Sequence, residues 1–276
     1  MASASGYERN DLKMNEYVSP LQLKRSPFIT NILLLGVDSE GDDSGRSDSM
    51  ILVSLDFLHM KIKMSSFLRD SYVYIPCRDR FAKLNSAYAY GGAQGITDAI
   101  EYNFEVDVNH FVKVDFKMFT DIIDTLGGID IEVTEEEKNF INKTTRYTVE
   151  SGKSVHLSGS EALVYARIRK LDSDYMRTYR QRKVLNALIS KAKTASFSEL
   201  YNAAKSVFPL IETDMSPAEV TALCYKFGVS ILGFDTSDIR VPEDDQMTTG
   251  YVGDEWVEKP DLDKCRKYLQ NFIFNE

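Results

Sequence analysis

The chain of 276 residues has no apolar run approaching the ~20 residues needed to cross a bilayer, and its longest early run, 32–35, is strand-sized. No membrane-spanning segment is therefore expected within it. Only three cysteines occur, Cys77, Cys224 and Cys265. They form no CxxC pair and no Cys/His zinc spacing, so free or structural thiols are expected rather than a metal site or a disulfide framework, with a bridge from Cys77 left open. His59, His110 and His156 lie far apart and share no motif, which points to structural or surface roles. No G-x-S-x-G elbow supports Ser/His/Asp hydrolysis. The glycines Gly91 and Gly92 lack the Lys-Ser/Thr that would complete a P-loop. Positive charge is also scarce overall: 33 Lys+Arg against 42 Asp+Glu gives a net charge of −9. That balance argues against nucleic acid as a partner.

Repeats and low-complexity linkers are missing as well. With 43% hydrophobic and 27% charged residues, the chain reads as globular and large enough for a substantial core. Residues 28–276 are expected to form a single domain. The opening six residues look like a vector scar, and 1–27 read as that scar plus a linker.

Strands are expected at 31–37, 50–55, 61–67, 71–75, 111–114, 129–133 and 163–168, and at 230–234 or 239–241. In the third, Ile62 and Met64 alternate with Lys61 and Lys63. Helices are expected at 92–104, 116–126, 177–193, 197–207, 217–227 and 261–274. The helix at 116–126 turns Phe119, Ile122, Ile123 and Leu126 inward and stops at Gly127-Gly128. The helix at 217–227 carries a capping box, Ser216 with Glu219, and Pro217 at its first position. The polar stretch 134–156 reads as a long excursion. Alternating strands and helices give an α/β fold, a central mixed sheet flanked by helices as an α-β-α sandwich.

Against the acidic background one arginine-rich segment stands out, 167–181. In a strand, period two sets Arg167 and Arg169 on one face. In a helix, Arg177, Arg180 and Gln181 share a face at i, i+3 and i+4. Asp172, Ser173 and Asp174 are N-cap candidates for that helix. Guanidinium groups match phosphate oxygens bidentately and a helix N-terminus favours anions, so a pyrophosphate site is one reading. A solvated basic face is the other. Asp38 closes one strand and Asp48 opens the next, a pair suited to Mg²⁺ or simply to a solvent loop. Arg69-Asp70 reads either as part of the anion site, with Asp70 orienting it or acting as a base, or as a surface ion pair.

These fragments, taken in order, resemble the LytR–CpsA–Psr family of cell-wall assembly proteins. The resemblance rests on Leu35-Gly36-Val37-Asp38, Arg46-Ser47-Asp48, Arg69-Asp70, Lys83-Leu84-Asn85-Ser86-Ala87-Tyr88, Val114-Asp115-Phe116 to Gly127-Gly128, Leu157-Ser158-Gly159 to Ala162, and Tyr165 to Gln181. It spans about 31–193. Two departures are visible: Phe67-Leu68 stands where the family often has Ile-Pro, and the loop between Gly36 and Arg46 is short and acidic.

The resemblance implies a membrane-anchored domain on the extracellular face of the cell membrane, its N-terminal anchor removed from this chain. It implies transfer of a glycopolymer, such as teichoic acid or capsular polysaccharide, from a polyprenyl-pyrophosphate carrier onto peptidoglycan. By position, Asp38 and Asp48 would hold Mg²⁺. Arg46, Arg69, Lys83, Arg167, Arg169, Arg177, Arg180 and Gln181 would surround the pyrophosphate. The prenyl chain would lie in an apolar tunnel. Arg69, Asp70 and Asp174 are the catalytic candidates, the two aspartates as bases for the acceptor hydroxyl. A polyprenyl-pyrophosphate hydrolase and a non-catalytic prenyl-lipid or glycan-binding module are the alternatives.

Overall fold

The computed structural model describes residues 12–37, 47–169, 171, 174–230 and 233–275. Among them the strands are β1 (Ile29–Val37), β2 (Ser47–Asp56), β3 (Lys61–Phe67), β4 (Tyr72–Ile75), β5 (Arg80–Lys83), β6 (His110–Val114), β7 (Ile129–Val133), β8 (Gly152–Leu157), β9 (Glu212–Thr213), β10 (Asp235–Val241), β11 (Met247–Val252) and β12 (Glu255–Pro260). The helices are α1 (Ser86–Phe104), α2 (Phe116–Thr125), α3 (Glu135–Thr144), α4 (Gly159–Ala166), α5 (Asp174–Thr194), α6 (Phe197–Val207), α7 (Pro217–Ser230) and α8 (Leu262–Phe274). None of them is long and apolar enough to cross a membrane.

The chain divides into two compact units. One contains Arg9–Asp115, Glu212–Met215 and Phe234–Glu276. Its centre is a mixed six-stranded sheet in the order β10-β3-β2-β1-β6-β9, which bears out the α/β expectation. β1 pairs antiparallel with β2 and parallel with β6, while β10 lies parallel to β3. The apolar run of β1 suits a strand covered on both faces. Leu33, Leu35, Met50 and Leu52 pack with Ile96, Ile100 and Phe104 of α1 and Leu269 and Ile273 of α8 in one core. α1 starts six residues earlier than Gly92, where the sequence placed it. Gly92 is instead a kink, with φ 58° and ψ −147°, which only glycine adopts readily.

Lys63 does not belong to a solvated strand face. It is 3% exposed and donates to the backbone oxygens of Ile273 (2.9 Å) and Asn275 (2.8 Å). A cation thus closes the C-terminal end of α8, where the helix dipole is negative. Residues ahead of β1 also pack on this unit. Asn15 is buried and donates to Glu101 Oε2 (2.9 Å) and to the Asp98 carbonyl (3.2 Å).

The other unit contains Phe116–Ile211 and Ser216–Gly233. Its core joins Ile123, Ile129, Ile131, Ile141, Leu157, Ala162, Tyr165 and Val184. Two expectations fail here. The stretch 134–156 is not an excursion: it holds α3 and strand β8, which pairs with β7. Of the predicted strand 163–168, residues 163–166 are the end of helix α4 and Arg167 is its C-cap. Both helices begin with reciprocal capping boxes, Thr134 with Glu137 and Ser158 with Glu161, whose local hydrogen bonds decide the conformation. Gly159 lets α4 approach α2 closely, since a Cβ there would stand 2.2 Å from the Thr120 carbonyl oxygen.

Candidate functional site

In the sheet unit, Arg69 and Asp70 occupy the short turn between β3 and β4. Their backbone is fixed on both sides: the Arg69 carbonyl accepts from Asn85 N (3.1 Å) and the Asp70 carbonyl from Glu258 N (3.0 Å). From that turn the side chains form a ladder of alternating charge. Arg69 Nη1 meets Asp48 Oδ1 at 2.8 Å, and Arg69 Nε lies 3.4 Å from Asp70 Oδ2. Lys83 Nζ meets Asp70 Oδ1 at 2.9 Å. Each of the four keeps 18–24% of its side chain exposed. Two cations and two carboxylates are thus held in place, half-buried and reachable from solvent.

In the helical unit, Arg177 and Arg180 sit on the buried side of α5 at i and i+3, 2% and 1% exposed. Arg180 Nε donates to Glu137 Oε1 (2.8 Å), and its Nη1 donates to the Ile168 carbonyl (3.2 Å). The second Glu137 oxygen accepts from Thr134 N (2.9 Å), so one carboxylate both caps α3 and balances a buried guanidinium. Burial without a partner would cost such a charge heavily. Arg167 is the C-cap of α4 and is exposed, its guanidinium 3.9 Å from the centroid of the Phe116 ring. Arg169 is exposed too, with buried Ile168 between them. The two arginines therefore leave a helix end and not a strand face, which corrects the period-two argument made for them. Gln181 is half-buried on α5.

Of the residues singled out by sequence, the structure brings Asp48, Arg69, Asp70 and Lys83 together in one unit. Arg167, Arg169, Arg177, Arg180 and Gln181 belong to the other. Asp38, Arg46, Asp172 and Ser173 lie outside the described residues, as does the side chain of Asp174. Sequence reasoning missed Glu137, although its Thr134-x-x-Glu spacing was there to be read. Among the described residues no group of three or more His, Cys, Asp or Glu could hold a metal. The histidines pair with aspartates, His59 with Asp56 (2.8 Å), His110 with Asp214 (2.8 Å) and His156 with Asp130 (3.1 Å). Cys77 and Cys265 are free thiols, and burial pushes the Cys265 thiol up to about 12.

The LytR_cpsA_psr family model matches residues 2–270. A relative from Bacillus subtilis (strain 168), polyisoprenyl-teichoic acid–peptidoglycan teichoic acid transferase TagV, is 33% identical over 270 residues, 92% of this chain. The chain spans 66% of that relative's length, just under two thirds. Among solved structures, TagT bound to LI-WTA superposes with a TM-score of 0.76 at 25% identity, covering 96% of this chain and 99% of that one. YwtF (TagT) with bound octaprenyl pyrophosphate lipid shares the fold, with a TM-score of 0.73 at 24% identity over 96% of this chain and 99% of that one.

Proposed function

Because the chain belongs to the LytR_cpsA_psr family, we propose that it moves a glycopolymer from a polyprenyl-pyrophosphate carrier onto peptidoglycan, outside the cell at the membrane face. An acceptor hydroxyl oxygen attacks the phosphorus that carries the glycan. The bond to the carrier's own phosphate breaks, the carrier leaves as polyprenyl phosphate, and the hydroxyl proton passes to a carboxylate. Asp70 and Asp174 are the candidates for that carboxylate.

The observation that carries this reading is the fixed pair Arg69 and Lys83. Both cations are held in place by Asp48 and Asp70. Donors fixed in advance stabilise charge that develops on a leaving phosphate without reorganising. Arg46, outside the described residues, belongs to the same proposed set. The reading includes an apolar tunnel for the prenyl chain; YwtF (TagT), which shares this fold, holds octaprenyl pyrophosphate lipid.

Asp48 with Asp38 would hold Mg²⁺. The fit rests on donor chemistry: Asp48 is a hard oxygen ligand, 24% exposed, and Mg²⁺ is often held by one or two carboxylates together with substrate phosphates. The ladder of Asp48, Arg69, Asp70 and Lys83 is formally neutral, and a divalent cation would make it net positive toward a pyrophosphate.

The test is Arg69→Ala in a transfer assay with lipid-linked glycopolymer and peptidoglycan. Transfer falls by about 100-fold or more while the thermal unfolding transition is kept. A variant that keeps full transfer activity overturns the assignment.

A further inference from the structure

A cleft of about 240 Å³ opens in the sheet unit beside the ladder. The hairpin β4–β5, the start of α1 and the hairpin β11–β12 build its walls. Tyr72, Phe81 and Tyr90 supply aromatic surface, Arg80 and Lys83 supply cations, and Asn85 supplies a buried amide. Lys83 belongs to this wall and to the ladder at once, since its Nζ is the group that meets Asp70.

Three features mark the cleft as built for a ligand. First, its aromatics are exposed where a folded chain would ordinarily bury them: Phe81 is 56% exposed and Tyr90 39%. Second, their faces are held in place. Phe81 stacks on Tyr72 with centroids 5.9 Å apart at 30°, and Arg80 Nη2 donates to the Tyr90 hydroxyl (2.6 Å). Third, Asn85 is 3% exposed, and its Oδ1 accepts no hydrogen bond among the described residues. A buried acceptor without a donor is costly, and a ligand hydroxyl would satisfy it. The β11–β12 hairpin is tied to the ladder through the Glu258 N to Asp70 carbonyl bond (3.0 Å).

We propose that this cleft is the subsite for one sugar ring of the acceptor glycan strand. A pyranose has an apolar face of C–H groups and a rim of hydroxyls. It suits flat aromatic faces interleaved with fixed polar groups. The volume lies below the about 300–1,000 Å³ of typical small-molecule pockets, which matches a single ring and not a folded polymer. A prenyl chain would gain nothing from Arg80, Lys83 and Asn85. Bound there, a sugar presents its hydroxyls next to Lys83 and hence to the candidate phosphate site. The assignment to the acceptor rests on the transferase reading. Sugar binding by the cleft does not.

Titrating the intact protein with muramidase-released peptidoglycan strands in a calorimeter is expected to show saturable binding. Phe81→Ala, a change at an exposed ring, is expected to weaken that binding by about tenfold. In the transfer assay the same variant raises KM for peptidoglycan about tenfold and leaves KM for the lipid-linked donor unchanged. No saturable binding of the strands, or unchanged affinity in Phe81→Ala, overturns the sugar subsite. A rise in donor KM with acceptor KM unchanged overturns the acceptor assignment. If the protein binds strands through Phe81 yet transfers nothing, the subsite stands and the transferase reading falls.

Discussion

Removing the charge of Glu137 is expected to loosen α3 and α5 together. Its carboxylate balances Arg180, whose side chain is 1% exposed, and it also closes the capping box of α3. Breaking one side of a buried pair leaves an uncompensated charge and costs about 3–5 kcal/mol. Glu137→Gln keeps the capping geometry, because glutamine serves at N3, but abolishes the charge. Its cost is therefore mostly the lost ion pair with Arg180, about 3 kcal/mol. Glu137→Ala loses the cap as well and costs about 1 kcal/mol more. Set against a total stability of about 5–15 kcal/mol, either change is large. Hydrogen exchange by mass spectrometry reads the effect locally. Peptides covering 135–144 and 174–194 exchange faster in Glu137→Gln, while those covering β1 and β2 stay protected. In the double variant Glu137→Gln/Arg180→Met, protection of α5 largely returns, since neither charge remains. If Glu137→Gln matches the wild type within about 1 kcal/mol, or the double variant is less stable than the single, Arg180 does not depend on Glu137 and the account of α5 is wrong.

Glu101 is buried, and burial pushes its carboxyl up to about 7 despite bonds from Val108 N and Asn15. The folded state thus holds a proton that the unfolded state releases near 4.5, so stability falls as pH rises from about 4.5 to about 7, by about 3 kcal/mol in all. Glu101→Gln removes that slope; urea midpoints from pH 4 to 8 check it, and parallel curves for the two proteins refute it. Gly159→Ala forces a Cβ against the Thr120 carbonyl and is expected to destabilise the protein by about 1–3 kcal/mol, seen as a lowered urea midpoint. An unchanged midpoint would mean that α2 and α4 can separate freely. Lys63→Met is expected to unfasten the last turn of α8, seen as faster exchange at 271–275; unchanged exchange there refutes the role given to its ammonium group.

The sheet was legible from apolar runs: β1, β3 and β6 appear where Leu33–Leu35, Ile62–Met64 and Phe111–Val114 placed them. So was the Ser216–Glu219 capping box, whose two bonds are present at 2.7 and 3.3 Å. The helical unit was harder to read for a physical reason. The run Leu163-Val164-Tyr165-Ala166 is rich in strand-favouring side chains, and propensity suggested a strand. The capping bonds of Ser158 and Glu161 outweighed it, and the same T-x-x-E signal at Thr134 went unused. The hairpin β11–β12 was also missed, although Gly253-Asp254 between two short runs is a two-residue turn signal, with Gly253 at φ 59°. For the site, sequence spacing put Arg177 and Arg180 on one face of a helix, correctly. It gave no sign that this face is buried, because burial depends on Glu137, 43 residues away in the chain.

The most direct measurement is release of polyprenyl phosphate from a glycopolymer-loaded polyprenyl pyrophosphate, followed with and without peptidoglycan. Release is expected only when the acceptor is present, matched mole for mole by glycopolymer bound to peptidoglycan. Equal release in water alone would make the protein a hydrolase, and no release under any condition would make it a binding module; either result contradicts the transferase.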